Sequence, residues 1–206
     1  MSNSTVKPTR QEFLRLKKKT KTAQKGHKLL KDKRDGLIRE FLVVVKDALR
    51  LRKELDQDLI KVMQFFQFAE TRTSKKLLEE IAVTSEAKAF VTLARKNIMG
   101  VIVSEITADV KGNPLSYGII ETPKDIDEAI FTLQKIFPDL MKLAELEFTA
   151  RRLAEEIEKT RRRVNTLEHV IIPEMKDDMK YIKGKLDETT RQEKVTLMKM
   201  KELLDI

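Results

Sequence analysis

The sequence predicts a mainly α protein: a long antiparallel two-helix coiled coil with a small α/β insert that contains a β-hairpin. Three observations predict it. Charged residues make up 36% of the 206 and aromatics 5%, with no Trp and no Cys, a balance found in long helices and coiled coils. Apolar residues recur at alternating steps of three and four over two long stretches. Between those stretches, residues 97–121 gather Gly, Pro and β-branched residues with turn chemistry at Lys111-Gly112-Asn113-Pro114.

Residues 1–8 read as a tail closed by Pro8. Thr9 followed by Glu12 is a capping box, in which hydroxyl and carboxylate satisfy backbone N–H groups left unpaired at a helix start. The first helix is expected over 9–80, about 100 Å at 1.5 Å per residue. Its seam runs through Leu16, Ala23, Leu30, Leu37, Phe41, Val44, Ala48, Leu51, Leu55, Val62, Phe66 and Ala69. Thr20, His27 and Arg34 share the register, so the seam begins polar. Of Phe65, Phe66 and Phe68, the first two straddle the seam and read as core rather than as a stacking platform.

The insert is placed at 81–121, with a short helix for 81–96 and a hairpin of Ile98–Thr107 against Ser116–Glu121. The second helix, 122–200, opens on Thr122-Pro123-Lys124-Asp125, with Thr as cap and Pro at the first helical position, where its missing N–H costs nothing. Its seam includes Ile126, Leu133, Ile136, Leu153, Ile157, Val164, Leu167, Ile171, Met175 and Ile182, and 201–206 is left as a tail. Pro138 and Pro173 interrupt it. Each removes one i→i−4 donor, so Pro173 in particular is a candidate kink that bends the helix or adds a local irregularity without ending it. Helices joined through a compact insert fold back most simply as an antiparallel pair.

Catalytic and cofactor signatures are missing. Neither Gly26-His27-Lys28 nor Gly36-Leu37-Ile38 has the spacing of a phosphate-binding loop, so no nucleotide cofactor is expected. His27 and His169 are the only histidines and stand far apart in sequence, which leaves no metal motif. Glu155, Glu156 and Glu158 lie in a charged helical pattern, without the nucleophile or pocket that acid–base chemistry needs. The longest apolar run, Phe41–Val45, is far short of the roughly 20 residues that span a bilayer.

The net charge of +9 raises the question of an anionic partner. Lys17-Lys18-Lys19-Thr20-Lys21, continuing to Lys33-Arg34, is the stretch nearest in kind to a bZIP basic region. The zipper of that class forms between chains, whereas here the second helix is supplied by the same chain. A basic coiled-coil nucleic-acid-binding protein is therefore the alternative to an interaction scaffold.

A specific resemblance separates the two. The run Thr160-Arg161-Arg162-Arg163-Val164-Asn165-Thr166-Leu167-Glu168-His169-Val170-Ile171-Ile172-Pro173, with Tyr181-Ile182 and Leu186-Asp187-Glu188 beyond it, resembles the C-terminal helix of the D subunit of the V-type and A-type rotary ATPases. Pro8-Thr9-Arg10, Leu16-Lys17, Gly26-His27-Lys28-Leu29-Leu30-Lys31 and Lys33-Arg34-Asp35 are similar to that family's first helix. Lys96-Asn97-Ile98-Met99 and Tyr117-Gly118 are similar to the insert of its bacterial and archaeal branch, while 71–95 and the last dozen residues match nothing. The resemblance implies a non-catalytic central-stalk rotor without cofactor, cytoplasmic and peripheral to the membrane. Its implied partners are a ring of catalytic and regulatory nucleotide-binding subunits (A and B), the small F subunit of the stalk, and a funnel-shaped subunit leading to the membrane rotor ring. Neither nucleic-acid binding nor direct membrane insertion is implied.

Arg10, Lys17, Arg161, Arg162 and Arg163 are the candidate partner contacts. With Ile157, Val164 and Ile171 at one seam position and Leu153 and Leu167 at the other, Arg161 and Arg163 fall on opposite flanks of the seam and Arg162 faces away. Glu158 four residues before Arg162, and Glu155 four before Lys159, set up favourable helical pairs.

Overall fold

A computed structural model describes residues 7–74, 76, 86–113, 115 and 124–204. In chain order they form α1 (Arg10–Arg72), β1 (Lys88–Ile98), β2 (Val101–Lys111), α2 (Lys124–Thr166), a π-helical turn (Leu167–Ile171) and α3 (Ile172–Leu204). Residues 201–204, expected in a tail, are helical. These elements build two units, one from the residues up to Asp35 with those from Ile157 on, the other from Gly36–Glu156.

In the first unit α1 begins where the capping box places it. The Glu12 N–H donates to Thr9 Oγ1 at 3.3 Å, and the Thr9 N–H donates to the Lys7 carbonyl instead of to Glu12. The helices run antiparallel: His27 lies beside Glu168, and Thr20, seven residues earlier, beside Met179. Leu16, Val164, Ile172 and Ile182 are buried between them. The polar start of the seam is satisfied locally, because the buried Thr20 hydroxyl donates to the Leu16 carbonyl at 2.9 Å. Counting ten residues back from Thr20 and ten on from Met179 reaches Arg10 and Thr189. Past that point α3 has no helix opposite it among the described residues, and every residue from Asp187 to Leu204 is exposed.

A π-helical turn lies just ahead of Pro173. The Ile172 N–H reaches back to the Leu167 carbonyl, an i→i−5 bond, so the turn holds one residue more than an α turn. That residue is visible in the seam spacing. From Leu153 the steps alternate four and three up to Ile171, and the next expected position is Glu174, whereas the apolar residue is Met175. The extra residue is absorbed in the π turn. As a result Ile172 is buried and Ile171 only half-buried.

The second unit has the same antiparallel sense. Arg52 pairs with Glu147 at 3.4 Å, and Arg72, at the end of α1, with Asp125 in the first turn of α2 at 2.9 Å. Leu37, Leu55, Ala69, Ile126, Ala129, Ile136 and Leu153 are buried, while Leu51 is half-buried. Two seam assignments shift. Phe65 is half-buried and Phe66 exposed, because the stripe leading to Ala69 steps through Val62 and Phe65. Leu133 is exposed, its place in the core being taken by Ala129 and Ile136. Pro138 sits within α2 without ending it. The cap expected at Thr122-Pro123 lies outside the described residues.

The hairpin differs from the one expected. β1 and β2 pair antiparallel from Ile98↔Val101 to Lys88↔Lys111, joined by the two-residue turn Met99-Gly100. Residues 88–96, expected as a short helix, are therefore strand, and the segment Ile98–Thr107, expected as one strand, contains the turn. The stretch 81–85 and the expected partner strand 116–121 lie outside the described residues. Lys111-Gly112-Asn113 does turn, but after β2 has ended. Gly112 is left-handed (φ 105°), and the Leu115 N–H donates to Asn113 Oδ1 at 3.1 Å.

The turn explains the misplacement. A two-residue hairpin loop of this twist needs positive φ at both central positions, which is why Asn-Gly is its usual signature. Here the left-handed residues are Met99 (φ 50°) and Gly100 (φ 88°), and methionine gives no turn signal. Two contacts hold it. Asn97 Oδ1 accepts the Gly100 N–H at 2.7 Å, and the Met99 thioether lies against Gly36 of α1, where an added Cβ would come within 2.5 Å of Met99 Cε. Gly36→Leu is expected to expel Met99 and cost about 1–3 kcal/mol by overpacking. Faster amide exchange at Ile98–Val101 and a lower denaturation midpoint would register it.

The burial of β2 changes face along its length: Val101 and Val103 are buried near the turn, and Ser104, Ile106, Ala108 and Val110 half-buried beyond it. That switch follows from the strong twist of a two-stranded ribbon. It also brings the Ile106 N–H to Glu145 of α2, which accepts it at 2.9 Å.

Candidate functional site

The chain's positive charge is concentrated rather than spread. Residues 10–35 of α1 hold eleven Lys or Arg against Glu12, Asp32 and Asp35, which accounts for eight of the nine net charges. Arg10 and Lys17 are exposed there. On α2, in the same unit, Arg161, Arg162 and Arg163 are all exposed. Arg162 pairs with Glu158, as the spacing predicts, and Glu155 pairs with Arg152 at 3.2 Å instead of with Lys159. Arg161 and Arg163 have no ion pair among the described residues. They are two guanidinium forks on the flanks of the helix pair, able to pair with a carboxylate from outside.

Near the π turn the seam is open on one side. Half-buried Ala23, Leu167, Ile171 and Met175 form the floor of a groove of about 480 Å³, and Arg15, Lys18 and Lys19 stand on its rim. Leu30 and Ile157 are likewise half-buried. His27 Nε2 lies 3.2 Å from Glu168 Oε2 and ties α1 to the π turn; His169 is exposed. The second unit carries the remaining seam residues and the hairpin. What it adds is structural detail that sequence reasoning did not place: Met99 on Gly36, and Glu145 on the outer edge of β2.

No group of three or more His, Asp or Glu among the described residues is placed to hold a metal ion. No helix among them is long and apolar enough to cross a membrane. The surface of the first unit combines exposed basic flanks over an apolar seam with a helix end, unpaired among the described residues, on which Leu197, Met198, Leu203 and Leu204 are exposed.

A family model of the ATP synthase D subunit matches residues 12–202. The chain belongs to the ATP synthase D subunit family. Its relatives match it nearly end to end. The V-type ATP synthase D subunit of Thermoanaerobacter pseudethanolicus is 44% identical over 201 residues, 97% of this chain and 96% of that one. The A-type ATP synthase D subunit of Thermococcus sibiricus is 41% identical over 203 residues, 97% and 95% of the two chains. The V-type ATP synthase D subunit of Enterococcus faecalis is 38% identical over 207 residues, 98% of each. The D subunit is a stalk subunit, and the paired helices with their hairpin insert are the architecture of this family member.

Proposed function

We propose that this chain is the non-catalytic central-stalk rotor of a V/A-type rotary ATPase, coupling ATP hydrolysis or synthesis in a nucleotide-binding ring to proton or sodium-ion translocation by rotation. The observation that carries the reading is the family match over 12–202, which runs through both helices and the insert. A single shaft presents different faces to equivalent sites around it, so turning it biases each site in turn, which is coupling between distant sites in the thermodynamic sense. Arg10, Lys17, Arg161 and Arg163 are the side contacts to the surrounding ring of A and B subunits. The lone end of α3 enters the ring, the small F subunit binds the shaft, and the funnel-shaped subunit takes its other end. The chain works in the cytoplasm, peripheral to the membrane, without cofactor.

Purification of the full chain from native membranes, with mass spectrometry of what accompanies it, tests this. The expected result is two nucleotide-binding subunits, a small stalk subunit and a funnel-shaped subunit, with ATPase activity in the complex and none in the isolated chain. Recovery with nucleic acid instead, through an affinity that falls steeply with salt, would overturn it in favour of the basic-region reading.

A further inference from the structure

β1 has a neighbour on one side only: among the described residues it pairs with β2 and with no other strand. The pairing fixes which backbone groups point where. In a two-residue hairpin the pair flanking the turn, Ile98↔Val101, is hydrogen-bonded, so the inward positions on β1 are Ile98, Lys96, Ala94, Thr92 and Phe90. The N–H and C=O of Arg95, Leu93, Val91 and Ala89 point outward. The other strand agrees: Ile106, opposite Leu93, sends its N–H out to Glu145. The outer edge of β2 is thus capped by α2, and that of β1 is bare among the described residues.

This edge lacks the usual protection. Lys88 to Asn97 are all exposed, with Leu93 at 69%, Phe90 at 51% and Val91 at 48%. Ala89-Phe90-Val91-Thr92-Leu93-Ala94 has no charge, proline, glycine or bulge. Six such residues on an open edge make a template for another strand, which soluble proteins normally break up. Charge enters only at the ends, as Lys88 on one side and Arg95 and Lys96 on the other.

Those ends choose the occupant. Two copies of β1 paired antiparallel must set outward positions opposite outward ones: with Val91 opposite Leu93, Lys88 faces Lys96, and with Val91 opposite Val91, Lys88 faces Ala94. The first register faces like charges, which is destabilising, and in neither does β1, which has no acidic residue, offer the basic ends a carboxylate. A strand with carboxylates at the corresponding ends meets attraction at both. We propose that the outer edge of β1 receives, as a third strand, an extended segment of a partner polypeptide, apolar or β-branched over about six residues and carrying a carboxylate near each end. Main-chain bonds to Val91, Leu93 and Arg95 hold it, and the basic ends select it.

Residue-resolved hydrogen–deuterium exchange tests this on the full chain, isolated and in complex with the polypeptides it carries from native membranes. In the isolated chain the amides of Val91, Leu93 and Arg95 exchange as exposed groups, while Thr92 and Ala94 are protected by β2. In the complex the first three slow at least a hundredfold. Val91→Pro removes one outward N–H and spares the β2 ladder, as edge positions permit. It abolishes the slowing at Leu93, and unchanged protection of Thr92 and Ala94 in the variant shows the hairpin intact. Leu93→Lys is the second block, free of any backbone change. Cross-linking from Leu93→Cys identifies the bound segment. Equal exchange in both states overturns the proposal, as does a cross-linked segment without carboxylates. Slowing that rises with the concentration of the isolated chain assigns the edge to a second copy and overturns it too. Recovery of the ring subunits without protection of β1 sinks the strand docking alone and leaves the rotor reading standing.

Discussion

Leu153→Ala is expected to cost about 2–5 kcal/mol, the largest loss of stability among single truncations of the helix pair. Leu153 is fully buried in the seam of the Gly36–Glu156 unit, with Leu37 buried as completely in the same unit. Removing three carbons there forfeits their transfer free energy and leaves a void that two helices held over many turns close only in part. Equilibrium urea denaturation checks it, with Leu204→Ala as control. Leu204 is 84% exposed, and its truncation is expected to stay within about 0.5 kcal/mol of zero. Equal losses at the two positions would mean that the buried stripe does not hold this unit together.

Truncation after Asp187 is expected to act on coupling instead of stability. Residues 188–204 are all exposed, and from Thr190 on they have no helix opposite them among the described residues, so their loss removes no buried side chain from the first unit. The shortened chain should denature at the same midpoint as the full one. Yet a lone helical end of this length is marginal in water and holds Val195, Leu197, Met198, Met200, Leu203 and Leu204 exposed, a large apolar area for one helix to show to solvent. If it enters the ring as proposed, ATP-driven ion transport of the reassembled complex falls several-fold while ring ATPase persists. Undiminished transport per ATP would remove this end from the coupling path.

How much of this is legible in the sequence depends on the range of the interaction that decides each element. The helix pair is legible because its signals are local and repeated: Thr9 with Glu12 sets the start, and a stripe such as Leu16, Leu37, Leu55 and Ala69 marks one face over many turns. The hairpin is not, because its turn is decided by contacts between segments distant in sequence. Met99 is held left-handed beside Gly100 and packs on Gly36, more than sixty residues away, while the obvious turn residues at 111–113 serve only to end β2. Phe66 is misplaced for a smaller reason, since steps of three and four allow two neighbours to claim one seam position and only packing chooses Phe65. Arg162 with Glu158 follows from spacing, whereas Glu155 has Arg152 and Lys159 equally in reach. That Arg161 and Arg163 find no ion pair among the described residues cannot be read from sequence, because nothing local decides whether the other helix offers a carboxylate.

The π turn at Leu167–Ile171 also decides where this helix can change length. In a continuous α-helix, gaining or losing one residue swings everything beyond it by about 100°, so the buried side of one part becomes the outer side of the next. The π turn is the exception, since it already stores one surplus residue. Without Val170, which is exposed, Val164, Leu167, Ile172, Met175, Met179 and Ile182 would follow one another at three and four residues in unbroken alternation, though Pro173 would then sit in an ordinary α turn. Losing Asn165 instead, from the α-helix just before, leaves Val164 in place and throws Ile172 and Ile182 off the seam unless the surplus is given up. The turn is a phase buffer, the one stretch of this helix where sequence length and the direction of the faces are uncoupled.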